Sequence, residues 1–483
     1  MTLCEGVKSM LSSYSKLACG ACIGALLVAV PAFAQDAAPT ATAAAQFTPT
    51  AEMVNKGDTT WMLISSALVL LMSAPALALF YGGLVRAKNM LSVLMQVLAI
   101  VCIATLMWVG WGYTLSFTGG NEFVGGFSKA FLSGVDVTTL AATFSNRVYI
   151  PEYAYVIFQM TFACITPALI VGGFAERVRF WPLMLFVVLW LTIVYYPIAH
   201  MVWYWAGPDF LPANPDDHGF LFGKGALDFA GGTVVHINAG VAGLMGCLVL
   251  GKRIGYKSEL IAPHSLPMTY IGACLLWVGW FGFNAGSNLE ANGVTAVAFI
   301  NTYVATAAAA LTWALLEQVV HKKPSLLGAA TGAVVGLVAI TPASGFAAPI
   351  TSIILGSVAS AVCFLFVVKV KNAFGYDDSL DVFGVHCVGG IVGALGTAFC
   401  ANPAWGGQGW IDYTVAPAVP GEFSLSAQIV AQLWAIGTTL IWSGGVSLVL
   451  FIVIDKTIGL RPTADVEREG LDINEHGERA YSF

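Results

Sequence analysis

The stretch Asp228-Phe-Ala-Gly-Gly-Thr-Val-Val-His236-Ile-Asn-Ala-Gly240-Val-Ala-Gly243-Leu-Met-Gly246 decides the fold, because an imperfect copy lies near the other end of the chain. The copy is Asp381-Val-Phe-Gly-Val-His386-Cys-Val-Gly-Gly390-Ile-Val-Gly393-Ala-Leu-Gly396. In both, glycines follow the histidine at the fourth, seventh and tenth positions, so they share one helix face and let another helix approach closely. We expect two similar membrane helices, each with a tightly packed seam and one imidazole above it.

The paired histidines, His236 and His386, predict a functional site between two halves of the chain. An ionisable group inside a bilayer is costly and usually functional, and two such helices in corresponding places indicate an internal duplication. One alternative is that each histidine is a satisfied core group. Another is a haem held by both rings, although each helix offers a single histidine, fewer than a two-haem membrane cytochrome needs.

The composition is that of a polytopic membrane protein. Of 483 residues, 58% are hydrophobic and only 10% are charged, and several apolar runs approach the ~20 residues that span a bilayer. Since no basic patch lies outside short loops, we expect no nucleic-acid partner. Three of the ten cysteines lie within residues 1–34, and the other seven are scattered through apolar segments without paired spacing, which argues against a disulfide framework or a metal site. We expect membrane lipid around the chain, no metal and no cofactor.

The first residues resemble an export signal. Residues 1–34 contain Lys8 and Lys16, an apolar run and the sequence Ala32-Phe-Ala34, which predicts a cleaved signal peptide. The alternative is an additional uncleaved helix. Residues 35–58 are rich in Ala, Thr and Pro and are expected to form a flexible periplasmic N-terminus.

Apolar segments then predict an all-α fold with eleven transmembrane helices. They lie near 60–84, 90–117, 153–175, 181–205, 227–250, 266–288, 294–319, 325–342, 347–368, 383–401 and 426–454. One set of alternate loops holds most of the Lys and Arg, and the other set holds only Lys129, Arg147 and Lys224. The positive-inside rule therefore places the N-terminus outside and the C-terminus inside.

In this orientation, segments one to five run opposite to segments six to ten. His236 lies on the fifth segment and His386 on the tenth, so the pattern predicts an inverted five-plus-five repeat. The eleventh segment is left over as a bracing helix. We expect a transporter domain over residues 59–458 and a polar cytoplasmic tail over residues 459–483.

Side chains that suit a small cation cluster in the segments that face outward. Asp228 precedes His236 by eight residues, about 12 Å along a helix, where it can cap the helix and favour a cation. Phe162, Trp203 and Ser287 offer two ring faces and a hydroxyl, which suit a protonated amine. Such aromatic residues are also typical of the interfacial belt.

The chain resembles ammonium transporters of the Amt/Mep/Rh family, of the bacterial AmtB type. The resemblance runs from about residue 60 to the C-terminus. It rests on Ala78-Leu-Phe-Tyr-Gly-Gly-Leu, Phe162-Ala-Cys-Ile-Thr, Gly172-Gly-Phe-Ala-Glu-Arg, Gly279-Trp-Phe-Gly-Phe-Asn-Ala-Gly-Ser287 and the two histidine stretches. It implies a homotrimer with one pore in each subunit, in the cell inner membrane.

Site residues carried over from this family fall into three groups. Phe162, Trp203 and Ser287 match an external ammonium site that Asp228 stabilises, and Phe162 also pairs with Phe283 as a gate. His236 and His386 match a twin-histidine pore. Further pore-region positions, with less defined roles, are Phe158, Tyr195, Trp280 and Thr341.

The resemblance implies transport rather than enzyme catalysis. We expect ammonium to lose a proton near the gate and ammonia to cross the pore, with electrogenic proton transfer. The alternatives are an electroneutral ammonia channel, an ammonium sensor and, most remotely, the haem protein. The tail Glu467-Arg-Glu-Gly-Leu-Asp-Ile-Asn-Glu-His-Gly-Glu-Arg-Ala-Tyr481 resembles tails that bind a PII-type (GlnK-like) regulator at the cytoplasmic face. The tract between Tyr204 and Lys224 is longer than the AmtB type has.

Overall fold

A computed structural model describes residues 47–482. The predicted signal peptide, residues 1–34, and the first part of the predicted N-terminal segment, up to residue 46, lie outside the described residues. Residues 47–55 pass close to the outer loops, where Val54 forms a bridge with Tyr149. The first long helix begins at Lys56, where the Asn55 side chain accepts hydrogen bonds from the N–H groups of Gly57 and Asp58, as an N-cap does.

The described chain is mostly helical. Ten helices are long and apolar enough to cross a membrane, and a shorter apolar helix lies among them. In chain order they are α1 (Lys56–Leu84), α2 (Ala87–Phe117), α3 (Glu152–Gly173), α4 (Phe180–Trp203), α5 (Gly232–Leu250), α6 (Leu266–Gly286), α7 (Gly293–His321), α8 (Leu326–Ile340), α9 (Pro349–Phe374), α10 (Phe383–Cys400) and α11 (Leu425–Thr457).

The expectation of a purely helical chain misses two short antiparallel strand pairs in the loops. Strand β1 (Leu140–Ala142) pairs with β2 (Tyr149–Pro151), and β3 (Ile411–Asp412) pairs with β4 (Val419–Pro420). Their two- and three-residue lengths are too short for sequence alternation to reveal them. We call the face that carries these loops outer, following the orientation predicted from loop charge, and the opposite face inner.

Both pore histidines lie in wide π-helical turns rather than in regular α-helix. His236 lies in the turn Gly232–Ile237 at the start of α5, and His386 lies in Phe383–Cys387 at the start of α10. Such turns displace side chains from the regular helical position and are frequent at functional sites. The two matched stretches of sequence therefore share a local distortion as well as a motif.

One glycine after each histidine brings α5 and α10 together, as the predicted close approach requires, whereas the later glycines meet other helices, such as Gly393 against Ala339 of α8. A Cβ at Gly240 would lie 2.3 Å from the Cys387 nitrogen, and a Cβ at Gly390 would lie 2.9 Å from the Gly232 oxygen. Each glycine follows its histidine by four residues. Larger side chains at either position would push the two histidine helices apart.

Helix α11 packs across α4 and α5. The Gln432 side chain donates to the Leu227 oxygen at 2.8 Å, and the Ser443 hydroxyl donates to the Asn238 oxygen at 2.9 Å. The Trp190 indole of α4 donates to the Ser447 hydroxyl at 3.0 Å. The first of these bonds fixes the backbone next to Asp228.

The tail packs on the inner loops of its own chain. A short helix, α12 (Ala464–Glu469), places Glu467 where it pairs with Arg461 at 2.7 Å and accepts from the Ile254 N–H at 2.8 Å. Asp472 accepts from the N–H groups of Leu91 and Ser92 at the start of α2.

Candidate functional site

The two histidines meet in the interior of the helix bundle. Their Nδ1 atoms are 3.3 Å apart, and the ring centroids are 5.3 Å apart at 19°. At this distance the N–H of one Nδ1 can donate a hydrogen bond to the other Nδ1. Both rings are buried, and the His236 Nε2 has no hydrogen-bond partner among the described residues. That nitrogen is therefore free to bind a small polar molecule.

Two phenyl rings separate the histidines from the outer face. The Phe162 and Phe283 centroids are 4.3 Å apart, and Phe283 lies 6.0 Å from the His236 ring. Both phenyl rings are fully buried, with exposures of 1% and 0%. The two rings predicted from the sequence as a gate therefore pack against each other, between the outer face and the histidines.

A large outer cavity ends at the first of these rings. Its volume is about 1220 Å³, and Phe162, Trp203, Asp228 and Ser287 are among the residues that line it. The Trp203 ring stands edge-on to Phe162 at 5.7 Å and 88°. The cavity therefore brings together the four residues predicted to bind substrate.

A much smaller cavity lies below the gate. Its volume is only about 10 Å³, near the lower limit for holding one water molecule, and His236, His386, Trp280 and Phe283 line it with otherwise aliphatic or aromatic side chains. A hydrated ion has no room here. Apart from the imidazoles and the Trp280 N–H, the lining offers no polar side-chain group.

Ser287 and Trp203 are held in fixed orientations. The Ser287 hydroxyl donates to the Phe283 oxygen at 2.8 Å, which leaves its lone pairs free to accept a hydrogen bond. The Trp203 indole donates to the Asp228 backbone oxygen at 2.9 Å. The Trp203 ring face, rather than its N–H, is therefore free to face the cavity.

The Asp228 carboxylate is occupied by backbone N–H groups at the start of α5. Its carboxylate accepts four N–H bonds, from Gly231, Gly232, Thr233 and Val234, at 2.6 to 3.1 Å. Burial raises the pKa of Asp228, whereas these four donors favour the ionised form. The carboxylate thus fixes the turn that begins α5 and places a buried negative charge beside the cavity.

The remaining predicted pore residues take three different places. Trp280 stacks on His236 at 5.4 Å and 20°, and its indole donates to the Thr341 hydroxyl at 2.9 Å. Phe158 packs against Phe162 at 5.0 Å. Tyr195 lines neither cavity, and its ring instead contacts Trp190 and Tyr196.

Asp378 is a site residue that the sequence analysis did not find. Its carboxylate accepts from the N–H groups of Val382 and Phe383 at the start of α10. It precedes His386 by eight residues, the spacing that separates Asp228 from His236. This shared spacing is the feature of the sequence that could have identified Asp378. Asp381, the first residue of the second copy, forms an ion pair with Lys371.

The histidine pair does not suit a haem. Two trans ligands at bond lengths of about 2 Å would hold their nitrogens about 4 Å apart, with a macrocycle between them. Here the nitrogens are 3.3 Å apart and the cavity is about 10 Å³. Within residues 47–482, no group of three or more His, Cys, Asp or Glu is placed to hold a metal ion.

The chain is similar to known ammonium transporters. A family model described as Ammonium Transporter Family matches residues 60–481. An ammonium transporter of Bacillus subtilis (strain 168) is 44% identical over 88% of this chain and 98% of its own length. One from Aquifex aeolicus (strain VF5) is 42% identical over 89% of this chain and 94% of its own length.

Solved structures share the fold. Mep2 of Candida albicans has a TM-score of 0.74 at 32% identity, over 86% of this chain and 88% of its own. A sensor Amt protein has a TM-score of 0.76 at 26% identity, over 87% of this chain and 98% of its own. These relatives are transport proteins rather than enzymes, and the ten apolar helices make this chain a multi-pass membrane protein. The chain belongs to the ammonium transporter family.

Proposed function

We propose that the chain recruits ammonium at the outer cavity, removes one proton, and conducts ammonia through the histidine-lined pore. The observation that carries this proposal is the packed Phe162 and Phe283 pair, which separates a cavity of about 1220 Å³ from one of about 10 Å³. The outer side has room for a hydrated cation, and the inner side has room for one small neutral molecule.

Recruitment rests on ring faces, one hydroxyl and one buried charge. A cation is attracted to the faces of Phe162 and Trp203, and the Ser287 hydroxyl accepts one of its N–H bonds. The ionised Asp228 lowers the electrostatic potential beside them without contacting the substrate. The site therefore favours a small cation with hydrogen-bond donors.

Deprotonation follows from the cost of burial. An intact cation below the gate would lose its hydration in a nearly apolar cavity, which costs many kcal/mol. Neutral ammonia keeps a hydrogen bond to an imidazole, such as the free His236 Nε2. Potassium has no proton to release, so the same step excludes it.

We propose that the released proton passes to the histidine pair, whose Nδ1 atoms are within hydrogen-bond distance, and leaves the pair on the inner side, which returns both rings to the neutral form. On this route, net transport is electrogenic. The test is the transient current of proteoliposomes on a solid-supported membrane after an ammonium concentration jump. A current is expected. No current, with a rapid ammonia-driven pH change inside the vesicles, would establish the electroneutral channel instead.

A sensor is the second candidate, because a solved sensor Amt protein shares the fold. Its signal would have to pass through the tail and a partner. Ammonium binding at Trp203 and Ser287 with no net flux into vesicles would favour the sensor over the transporter.

The proposed topology has eleven spans, with α8 as a short one, the N-terminus outside and the C-terminus inside. Reciprocal contacts support the inverted repeat: a Cβ at Gly240 would meet the Cys387 nitrogen, and one at Gly390 would meet the Ile237 nitrogen. Each contact joins the fourth residue after one histidine to the first residue after the other. Cysteine labelling at positions 129 and 322 tests the orientation. A cysteine in place of Lys129 should react only with reagent added outside, and one in place of Lys322 only with reagent added inside.

We further propose that residues 1–34 are a cleaved signal peptide, residues 59–458 the transporter domain and residues 459–483 a regulatory tail, and that the chain forms a homotrimer in the cell inner membrane. N-terminal sequencing of the mature protein tests the cleavage. Native mass spectrometry tests the trimer, which a predominant monomer in mild detergent would contradict.

A PII-type regulator is the proposed cytoplasmic partner of the tail. Leu471 and Glu467 are buried against the chain's own loops, so the docking surface would use the exposed Arg468, Glu469 and Glu478. The test is co-purification of the regulator before and after removal of residues 459–483. Equal recovery would count against this role.

A further inference from the structure

His200 lies outside the predicted site, yet its environment is unusual. The residue is fully buried near the outer end of α4, one turn before Trp203. Its Nδ1 is 3.1 Å from the Ser116 backbone oxygen, and its Nε2 is 2.8 Å from the Asn121 backbone oxygen. No other described histidine has a backbone carbonyl at both ring nitrogens.

Two carbonyl partners define the protonation state of the ring. A carbonyl oxygen only accepts hydrogen bonds, and a neutral imidazole donates from one nitrogen alone. A neutral ring would set a nitrogen lone pair against an oxygen lone pair at about 3 Å, and would leave buried groups unpaired. The imidazolium, which donates from both nitrogens, satisfies both carbonyls.

The surroundings also favour a cation. The Tyr204 ring stacks on His200 at 4.5 Å and 12°, and a ring face attracts positive charge. The Tyr204 hydroxyl donates to Asp217 at 2.7 Å, which places a carboxylate at the far end of the ring that stacks on His200. The other ionisable residues of the segments packed against the ring are Tyr113, Glu122, Asp209, Asp216 and His218.

The bonds of His200 join three parts of the cavity wall. Ser116 lies at the outer end of α2, Asn121 lies in the loop that follows, and His200 lies on the helix that ends at Trp203. A Cβ at Gly219 would lie 2.1 Å from the His200 oxygen, so the long loop after Trp203 is packed on the same point. Moving His200 would move the Trp203 ring.

We propose that His200 is a doubly protonated positioning residue, which holds Trp203 over the outer ammonium site. The proposal rests on the proposed function for its effect on transport, but not for the protonation state. Loss of the second proton at high external pH breaks one of the two carbonyl bonds and loosens the end of α4. Ammonium affinity then falls.

The direct test is solid-state NMR of ¹⁵N-histidine-labelled protein in bilayers at pH 7. His200 is identified by the difference spectrum against His200→Gln. Two protonated ring nitrogens are expected, and one protonated with one unprotonated nitrogen would overturn the proposal. If His200→Gln does not accumulate, Asp217→Asn leaves the histidine in place and identifies the same resonances by the shift that it causes.

Transport then tests the positioning role. Half-saturating ammonium is measured from external pH 5 to 9, at equal ammonium-ion concentration, for wild type and His200→Gln. The half-saturating ammonium concentration of the variant is expected to be about three- to tenfold above that of wild type at pH 7. At high pH the two values should approach each other. A constant ratio across this range would overturn the role. Failure of wild type to give any ammonium current would instead contradict the proposed function and leave the NMR result standing.

Discussion

At the scale of single residues, the site divides into groups that meet the substrate and groups that hold them. Ser287 presents a hydroxyl to the outer cavity, whereas Asp228 is saturated by four backbone donors and acts at a distance. Trp280 is likewise fixed by Thr341. Substitutions in the first group should therefore act mainly on substrate affinity, whereas substitutions in the second group should also lower stability.

Ser287→Ala is expected to raise half-saturating ammonium about three- to tenfold, because one acceptor for the cation is lost. Potassium should stay excluded, since the gate is intact. Initial currents at graded ammonium concentrations measure this. Ser357→Ala is the matched control: its hydroxyl bonds the Ile353 oxygen in the same way but is exposed. An equal effect of both substitutions would refute a binding role for Ser287.

Asp228→Asn is expected to lower the free energy of unfolding by about 1–3 kcal/mol. Four N–H groups now donate hydrogen bonds to the carboxylate. In the variant, the amide NH₂ would face two of these groups and could not accept their hydrogen bonds. Thermal unfolding of the solubilised protein measures the change. A variant with the melting temperature of wild type would show that the carboxylate does not hold the turn.

At the scale of helices, the pore depends on how closely α5 and α10 pack. Their glycine contacts bring both histidine turns to one point, while α11 fixes the segment before α5 through Gln432. Backbone approach of this kind leaves no space for even one added methyl group. Helix packing, rather than helix propensity, therefore sets the distance between the histidines.

Gly240→Ala is expected to destabilise the protein by about 1–3 kcal/mol and to abolish the ammonium current, because its Cβ would lie 2.3 Å from the Cys387 nitrogen. The control is Gly437→Ala, at a position in α11 with nothing within 4 Å. There alanine should be neutral or stabilising. Full transport by Gly240→Ala would contradict the packing argument.

At the scale of the whole molecule, the inner loops are joined by buried charges. Arg253 pairs with Glu176 at 3.3 Å and with Asp377 at 2.7 Å, and Arg86 pairs with Glu176 at 2.9 Å. Burial acts to raise the pKa of Glu176, but Arg86 and Arg253 hold it below its ordinary value. Burial also acts to raise the pKa of Asp377, but Arg253 and Arg177 hold that pKa below its ordinary value.

These lowered pKa values predict how stability depends on pH. Both carboxylates bind protons less readily when folded, so their contribution is complete above their ordinary values near 4 and is lost as pH falls below them. Glu176→Gln should therefore melt well below wild type at pH 7. The difference should shrink between about pH 5 and pH 3. A difference that does not change with pH would contradict this account.

The sequence predicted the parts of this molecule that long local motifs encode. His236, His386, Phe162 and Phe283 were singled out because their stretches are ordered and specific, and the glycine spacing predicted the close approach at Gly240 and Gly390. Asp378 was missed because the second copy was read only from Asp381 onward, three residues after it. The two-residue strands, the packing of the tail and the place of Tyr195 outside both cavities depend on tertiary contacts that no local pattern records.

The central claim is that ammonium gives up its proton at the histidine pair and that ions without a proton to release stay outside. The most direct measurement compares currents after ammonium and potassium jumps for wild type and for the variant with both His236→Ala and His386→Ala. Wild type should respond to ammonium alone, and the variant should lose this selective, proton-coupled current. An unchanged ammonium-selective current in the variant, or a potassium current in wild type, would contradict the account.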